Sequence, residues 1–600
     1  MAKRMIILAL ALLLPALCLA QQGGFSITKV LPDKLLYDTG QTVKVAVTVA
    51  NTTAAPQSGE LRVRLEWEMD EGVELARQPI TLQPKEAKTL IFPWKSVQVL
   101  GVGAYAELVQ DGKVLSAAHD FFNVVDAADA LRVSIHAGWG AQEPVEKLDR
   151  TNYVNVYEVL GWGGNPTPTA TNPPEEYAGH YGWVTKANLR KLCANPVGVK
   201  FLAYVICYTF KSDAERFAVE HPEKFLYDKD GYFCGTFDMQ SNERQGRNPR
   251  YKQQNYYGDF SSSLDWADQQ NLDWWADEIS KSAKDIGWQG VRFDGHPQFI
   301  APQSLEYYRW DGKYYNLEEK LKVNARDTPY FKDKLRAANP NFLLYYNCEP
   351  VLDKLNPPID LADICRNGST AGSEVTRSAA DVSNPYHKWK DMYNLFIDGV
   401  DACRKHGGYY SAIFPAIHAG MGVEAKHLGT ALMMATGTQQ WFVEWTRPEK
   451  QYAAPLRQAI VPYLKMSTRY SALLWGHGIT RLPNPESWIA VATPPGSEVW
   501  WQRTVNTRKT VGGNELVIVN LLNAPPTEEN LGTKQTLPKP IDNIILTFRP
   551  HDGKRVVKVW DINAWPDTTC QPLPLAEKDG TVSVTVPRMD YFRMVVAELK

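Results

Sequence analysis

Trp288-Gln-Gly-Val-Arg-Phe-Asp-Gly-His-Pro297 is the stretch on which the reading of this chain turns. Gly290 to Phe293 reads as a short buried strand, and it delivers Asp294 at its C-terminal end. Side chains alternate along a strand, so Arg292 shares a face with Asp294. A helical segment precedes it from Asn271 to Ile286. Another apolar strand, Phe342-Leu-Leu-Tyr-Tyr346, follows and ends in Asn347-Cys348-Glu349. Carboxylates at the C-terminal ends of successive parallel strands sit where a (β/α)8 barrel places its chemistry.

Outward from this stretch, strands alternate with amphipathic helices from about Ala127, which implies a parallel sheet. The pattern predicts strands at Leu131–Ile135, Tyr153–Tyr157, Lys200–Tyr208, Gly290–Phe293, Phe342–Tyr346, Ala362–Cys365, Gly408–Phe414 and Gln440–Val443, enough to close one barrel. The connection from Thr209 to Ser263 is long, polar and aromatic, and is expected to be a functional loop over the barrel mouth.

On the N-terminal side, alternating runs such as Thr42-Val-Lys-Val-Ala-Val-Thr-Val49 and Glu60-Leu-Arg-Val-Arg-Leu-Glu-Trp67 predict an antiparallel sandwich of immunoglobulin-like type. Strand patterns return from about Ser487: Glu498–Arg503, Leu516–Asn520, Asn543–Phe548, Val556–Trp560 and Val582–Val586. The reading is therefore an α/β protein with a central TIM barrel over 127–482. A β-sandwich over 24–126 and another over 483–600 flank it. Lys3 and Arg4 precede an apolar run from Met5 to Leu17, and Cys18-Leu19-Ala20 supplies small residues for cleavage, so residues 1–20 read as a signal peptide. That run is too short to span a bilayer. A secreted or periplasmic protein starting at Gln21 is expected, with no membrane attachment after cleavage.

The formal net charge is -2, and no basic run or patch suggests nucleic acid as a partner. The 19 Trp and 28 Tyr suit carbohydrate, whose rings offer apolar C–H faces to aromatic planes, although large β-rich cores use the same residues. Cleavage of the leader leaves Cys193, Cys207, Cys234, Cys348, Cys365, Cys403 and Cys570, an odd number. No CxxC pair or Cys/His cluster points to a structural metal. Cys207 and Cys365 read as buried small hydrophobes in strands, and Cys348 as structural. GxSxG, P-loop and HExxH patterns are absent from the sequence.

Cleaving a glycosidic bond needs two carboxyl groups across it, about 5 Å apart in retaining enzymes. Asp294 is the expected nucleophile, since the Arg292 guanidinium would keep it ionised; the plainer alternative is an Asp that caps the next segment. Glu349 is the expected acid/base, with Tyr345 and Tyr346 making its surroundings partly apolar and raising its pKa. Glu374, in Asn367-Gly-Ser-Thr-Ala-Gly-Ser-Glu374, is the rival. His296 could hydrogen-bond a sugar hydroxyl. His136, Trp139, Tyr204, Tyr346, Asn347, His418, Glu444 and Trp445 lie at or just past predicted strand ends and complete the expected substrate-binding set. No metal or cofactor is required by this mechanism.

At Gly290-Val-Arg-Phe-Asp294 the chain resembles the α-amylase group of barrel glycosidases, whose strand carries Arg and the nucleophilic Asp. That group places a His four residues past the Asp, where this chain has Gln298, and an Asn-His-Asp that Ala412-Ile-Phe-Pro-Ala-Ile-His418 lacks. The whole chain is more similar to glycoside hydrolase family 66, the dextranases and cycloisomaltooligosaccharide glucanotransferases. Pro32-Asp-Lys-Leu-Leu-Tyr-Asp-Thr-Gly40, Phe293-Asp-Gly295, Tyr463-Leu-Lys-Met-Ser-Thr-Arg-Tyr-Ser-Ala-Leu-Leu474, and Leu516-Val-Ile-Val-Asn-Leu-Leu522 with Pro538-Lys-Pro540 carry that likeness. It implies retaining hydrolysis or transglycosylation of an α-linked, dextran-like glucan, with Asp294 as nucleophile. The family's acid/base Glu has no counterpart in the matching region, read as Asp363-Ile-Cys-Arg-Asn-Gly368. Either Glu349 or Glu374 takes that role, or the barrel is a degenerate one that binds glycan without turnover. An amylase-like α-1,4-glucan hydrolase is a further alternative.

Overall fold

The computed structural model describes residues 24–137, 148, 150–159, 178–179, 182–183, 186–206, 208–209, 221–224, 262–263, 265, 268–294, 307–315, 329–348, 361–366, 368–373, 386–413, 422–442, 453–510, 512–525, 530–531, 533–550 and 553–600. They fall into two compact units. One runs to Asp126 and includes Thr468–Ala472; the other comprises Ala127–Ser467 and Leu473–Lys600.

In the first unit, the strands Phe25–Pro32, Thr42–Asn51 and Ala87–Lys95 form one antiparallel sheet. Leu36–Asp38, Lys113–Val125, Leu100–Gln110, Gln57–Trp67 and Glu71–Leu82 form another, in that spatial order. The alternation read from the sequence is the cause. Val43, Val45, Val47 and Val49 face inward at 0% exposure, as do Leu61, Val63 and Leu65 of the opposite sheet, and both sets belong to one hydrophobic core.

The second unit contains a closed barrel of eight parallel strands. In chain order these are His136–Ala137, Val156–Val159, Lys200–Ile206, Gly290–Asp294, Leu343–Asn347, Thr370–Ser373, Tyr409–Ile413 and Gln439–Phe442, called barrel strands 1 to 8 below. Strand 8 pairs back onto strand 1 through Trp441 and His136. Two predicted strands are corrected. Leu131–Ile135 overlaps a 3-10 segment, Ala127–Val133, and strand 1 begins only at His136. Ala362–Cys365 lies within a short helix, Leu361–Cys365, and strand 6 is the following Thr370–Ser373. Cys365 is therefore helical, though buried as expected. Asp363, read as near the start of a strand, lies on the same helix.

The base of the long connection after strand 3 is a two-stranded ribbon, Tyr208–Thr209 against Ser262–Ser263. Beyond the barrel, a seven-stranded and a four-stranded sheet share one core rich in Val, Leu and Ile. Phe592–Leu599 runs between Glu515–Asn523 and Val556–Asn563 in the larger sheet and is buried along its whole length. The predicted Glu498–Arg503 strand shrinks to Val499–Trp500.

Candidate active site

Barrel strand 4 is held from both sides of its plane. The helix Gln269–Ile286 leads into it. Asp268 caps that helix by accepting from the Gln270 amide at 2.9 Å, and Gly287, at φ 93°, ends it in the left-handed conformation that glycine adopts without strain. Its apolar face, including Leu272, Trp275 and Ile279, is buried. Phe293 points outward into this layer, its ring 5.9 Å from Trp275 and 5.8 Å from Phe331. Arg292, one residue earlier, takes the opposite face and lies in the barrel interior at 0% exposure. A Cβ at Gly290 would collide with the Leu343 carbonyl, so only glycine fits where strands 4 and 5 start. Asp294 closes the strand, two residues past Arg292 and paired with Ile206.

The interior around Arg292 is polar and aromatic. Its guanidinium lies 5.0 Å from the Tyr204 ring centroid and 4.8 Å from that of Trp441, a cation–π arrangement inside a barrel. Its Nε is 3.4 Å from Glu158 Oε2 on strand 2. His136 Nε2 stands 3.5 Å from the same oxygen. The His136 ring stacks on Trp441 at 5.4 Å and 9° and meets the Tyr345 edge at 4.7 Å. Tyr345 in turn shares a hydrogen bond with Ser411 of strand 7. Gly372 of strand 6 makes room for it, since a Cβ there would run into the Tyr345 ring.

Burial, reinforced by the nearby Arg292 charge, holds the His136 pKa well below its ordinary value. His136 is thus a neutral imidazole, and the buried charges of this cluster are those of Arg292 and Glu158. Taking both from water is expensive, and the ion pair offsets that only in part. The arrangement places a fixed positive charge just behind the end of strand 4. Such a charge favours the ionised form of any carboxyl group beside it.

The predicted site residues divide into three groups. His136, Tyr204, Arg292, Asp294 and Asn347 lie on the barrel strands, with His136 within strand 1 rather than past the end of a strand. Tyr346 is a correction. It packs on the outer side of strand 5, stacked on Phe293 at 5.3 Å with Lys332 of the helix at 329–338 over its ring, so it is not a sugar platform at the mouth. Trp139, His296, Glu349, Glu374, His418, Glu444 and Trp445 lie outside the described residues, as do Cys207 and Cys234. Glu158 is the residue that sequence reasoning missed. Its signal was the run Val154-Asn-Val-Tyr-Glu-Val159, which continues one strand past the predicted end at Tyr157.

A closed parallel barrel with a buried arginine behind a strand-end aspartate defines the architectural class. No protein-family model matches the sequence, and no curated protein matches it. Among solved structures, the chain is similar to a cycloisomaltooligosaccharide glucanotransferase from Paenibacillus sp., a protein solved in complex with cycloisomaltoheptaose. The TM-score is 0.70 at 13% identity, covering 95% of this chain and 100% of that one. A maltogenic α-amylase from Thermotoga neapolitana gives 0.42 at 10% identity, over 77% of this chain and 99% of that one. A debranching enzyme from Nostoc punctiforme gives 0.43 at 10%, over 78% and 98%. The first likeness establishes the fold along nearly the whole chain. It also agrees with the remote resemblance to glycoside hydrolase family 66 read from the motifs.

Proposed function

We propose that this protein is a secreted glycoside hydrolase that cleaves an α-linked, dextran-like glucan with retention of configuration. The observation that carries the reading is Asp294 at the end of barrel strand 4, two residues past the buried Arg292. The shared fold with a glucan-acting Paenibacillus enzyme supports it. Asp294 attacks the anomeric carbon and forms a glycosyl-enzyme intermediate. Arg292 keeps that carboxylate ionised, and Glu158 holds Arg292 in place.

Two glutamates follow barrel strands 5 and 6 in the sequence. Glu374 directly follows Ser373, the last residue of strand 6, while Glu349 comes two residues after strand 5 ends at Asn347. With Glu374 as the rival, we assign the acid/base to Glu349. It protonates the leaving oxygen and then activates the water that releases the sugar. A sugar acceptor in place of water would give transglycosylation. The leader at 1–20 carries the secreted location.

The test is product release by the mature protein from dextran, starch and pullulan, with Asp294→Asn in parallel. Activity on dextran that vanishes in the variant supports the reading. Activity on starch alone selects an α-1,4-glucan hydrolase, and glycan binding without turnover selects a degenerate barrel. Glu374→Gln and Glu349→Gln then separate the acids. The true acid/base variant keeps activity on aryl glycosides with good leaving groups and is rescued by azide; the other variant shows neither behaviour.

A further inference from the structure

The N-terminal end of the barrel, opposite the strand ends used above, holds a cavity of about 190 Å³. Tyr409 and Gln439, the first residues of strands 7 and 8, line it together with Arg132, Arg404, Trp475 and His477. Two of the cations around it have carboxylate partners. Arg132 Nε lies 2.5 Å from Asp129 Oδ2, and Arg481 is paired with Asp401 at 2.9 Å. Arg404 has no carboxylate within ion-pair distance among the described residues.

Arg404 donates from Nη2 to the Leu474 carbonyl at 2.8 Å and from Nη1 to the Asn506 amide oxygen at 3.4 Å. Both acceptors are neutral. A guanidinium carries five N–H donors, so three find no acceptor among the described residues. Helix capping explains the contact with Leu474, near the end of Ser471–Trp475, and the Asp401 carboxylate, already paired with Arg481, acts on Arg404 only from beyond ion-pair distance. Arg404 is half-buried as a residue, yet its guanidinium lies deep enough that burial, then the charge of Arg481, draws its pKa down to about 9. Gly437 is part of the construction, because a Cβ there would lie 2.9 Å from Arg404 Nη2. At about 30 Å³ of liquid per water, the cavity has the room of about six waters. His477 stands at its rim, 62% exposed, with Nε2 3.6 Å from Asp129 Oδ2.

We propose that this cavity binds a small oxyanion of the phosphate type, with Arg404 as its charge partner and Arg132 and His477 at its edge. The ligand is a free anion or the phosphoryl end of a sugar ester, which present the same oxygens. Guanidinium and phosphate form paired charge-assisted hydrogen bonds, and Arg404 has the donors for them.

Thermal unfolding of the mature protein tests this, with sodium phosphate titrated against sodium chloride at equal ionic strength and with glucose 6-phosphate in a second series. The expected result is a saturable rise in Tm with phosphate that chloride does not reproduce. Arg404→Gln weakens it about tenfold or more. His477→Glu, at an exposed position and therefore able to fold, weakens it by opposing the anion's charge. Lys405→Gln, exposed at the end of the helix Trp389–Lys405 that carries Arg404, leaves it unchanged. Glucose 6-phosphate acting as well as phosphate or better identifies an ester as the ligand, and a weaker effect identifies the free anion. No phosphate-specific rise, or one unchanged in both Arg404→Gln and His477→Glu, overturns the proposal. If Arg404→Gln does not fold, His477→Glu decides.

Discussion

Val43, Val45, Val47 and Val49 of the first unit and His136, Glu158 and Arg292 of the barrel are equally sealed from water, all at 0% exposure, yet they are opposite materials. The valines gain by burial, at about 25 cal/mol per Å² of apolar surface. The buried ion pair loses several kcal/mol per charge on leaving water and recovers only part of it. Shape alone would be served better by leucine and phenylalanine. The difference teaches where this fold serves something besides stability: in the barrel, behind the end of strand 4.

The largest expected effect separates the two regions outright. Asp294→Asn lowers turnover on the order of 10⁴-fold while the unfolding transitions stay in place, read by product release and calorimetry. Glu158→Ala comes next. It strands the Arg292 charge and destabilises the second unit by about 3–5 kcal/mol, measured as the shift of its calorimetric transition. The combined change Glu158→Leu, Arg292→Met and His136→Phe sharpens the point. Its stability equals or exceeds that of the parent by about 1–4 kcal/mol, and it has no activity. A large loss of stability in that triple variant would break the comparison. In the apolar region, Leu65→Ala costs about 2–5 kcal/mol of the first unit's stability without touching activity.

The pH dependence follows with a smaller amplitude. His136 has a folded-state pKa far below 6.5, so between these values the unfolded chain binds a proton that the native state refuses. Stability is whole above pH 6.5 and falls as pH drops below it, by about 1.4 kcal/mol per pH unit for this one group. His427, drawn down to about 4 chiefly by burial, adds a like term between 6.5 and 4. His136→Phe removes the first contribution and keeps the second, which denaturant midpoints between about pH 7.5 and pH 4.5 reveal. The smallest effect belongs to Tyr346→Phe. Its ring lies outside the barrel wall, so kcat and KM hold and stability moves by less than about 1.5 kcal/mol.

The apolar half of this contrast was the legible half. Valine alternation in Thr42–Asn51 predicts its own burial, and the run before Asp294 predicts strand 4. Polar burial runs against the same rule. Glu158 falls just past the strand predicted at Tyr153–Tyr157, and nothing local reveals Arg292 inside the barrel. Strand 6, Thr370-Ala-Gly-Ser373, has no apolar run at all; its small residues make room for Tyr345, which is distant in sequence. Ala362–Cys365 reads as a strand and lies within a helix. Phe592–Leu599 escaped for a third reason: buried on both faces, it shows no alternation.

That same strand bears on how the protein is made. Phe592–Leu599 pairs with Glu515–Asn523 on one side and Val556–Asn563 on the other, and it follows both in the chain. The two earlier strands of this sheet cannot be bridged until residues 592–599 have left the ribosome. Until then their edges are unpaired and their apolar faces uncovered. The sheet closes through contacts of long sequence separation, which form slowly. During synthesis the gap between the two earlier strands therefore stays open until residues 592–599 are made.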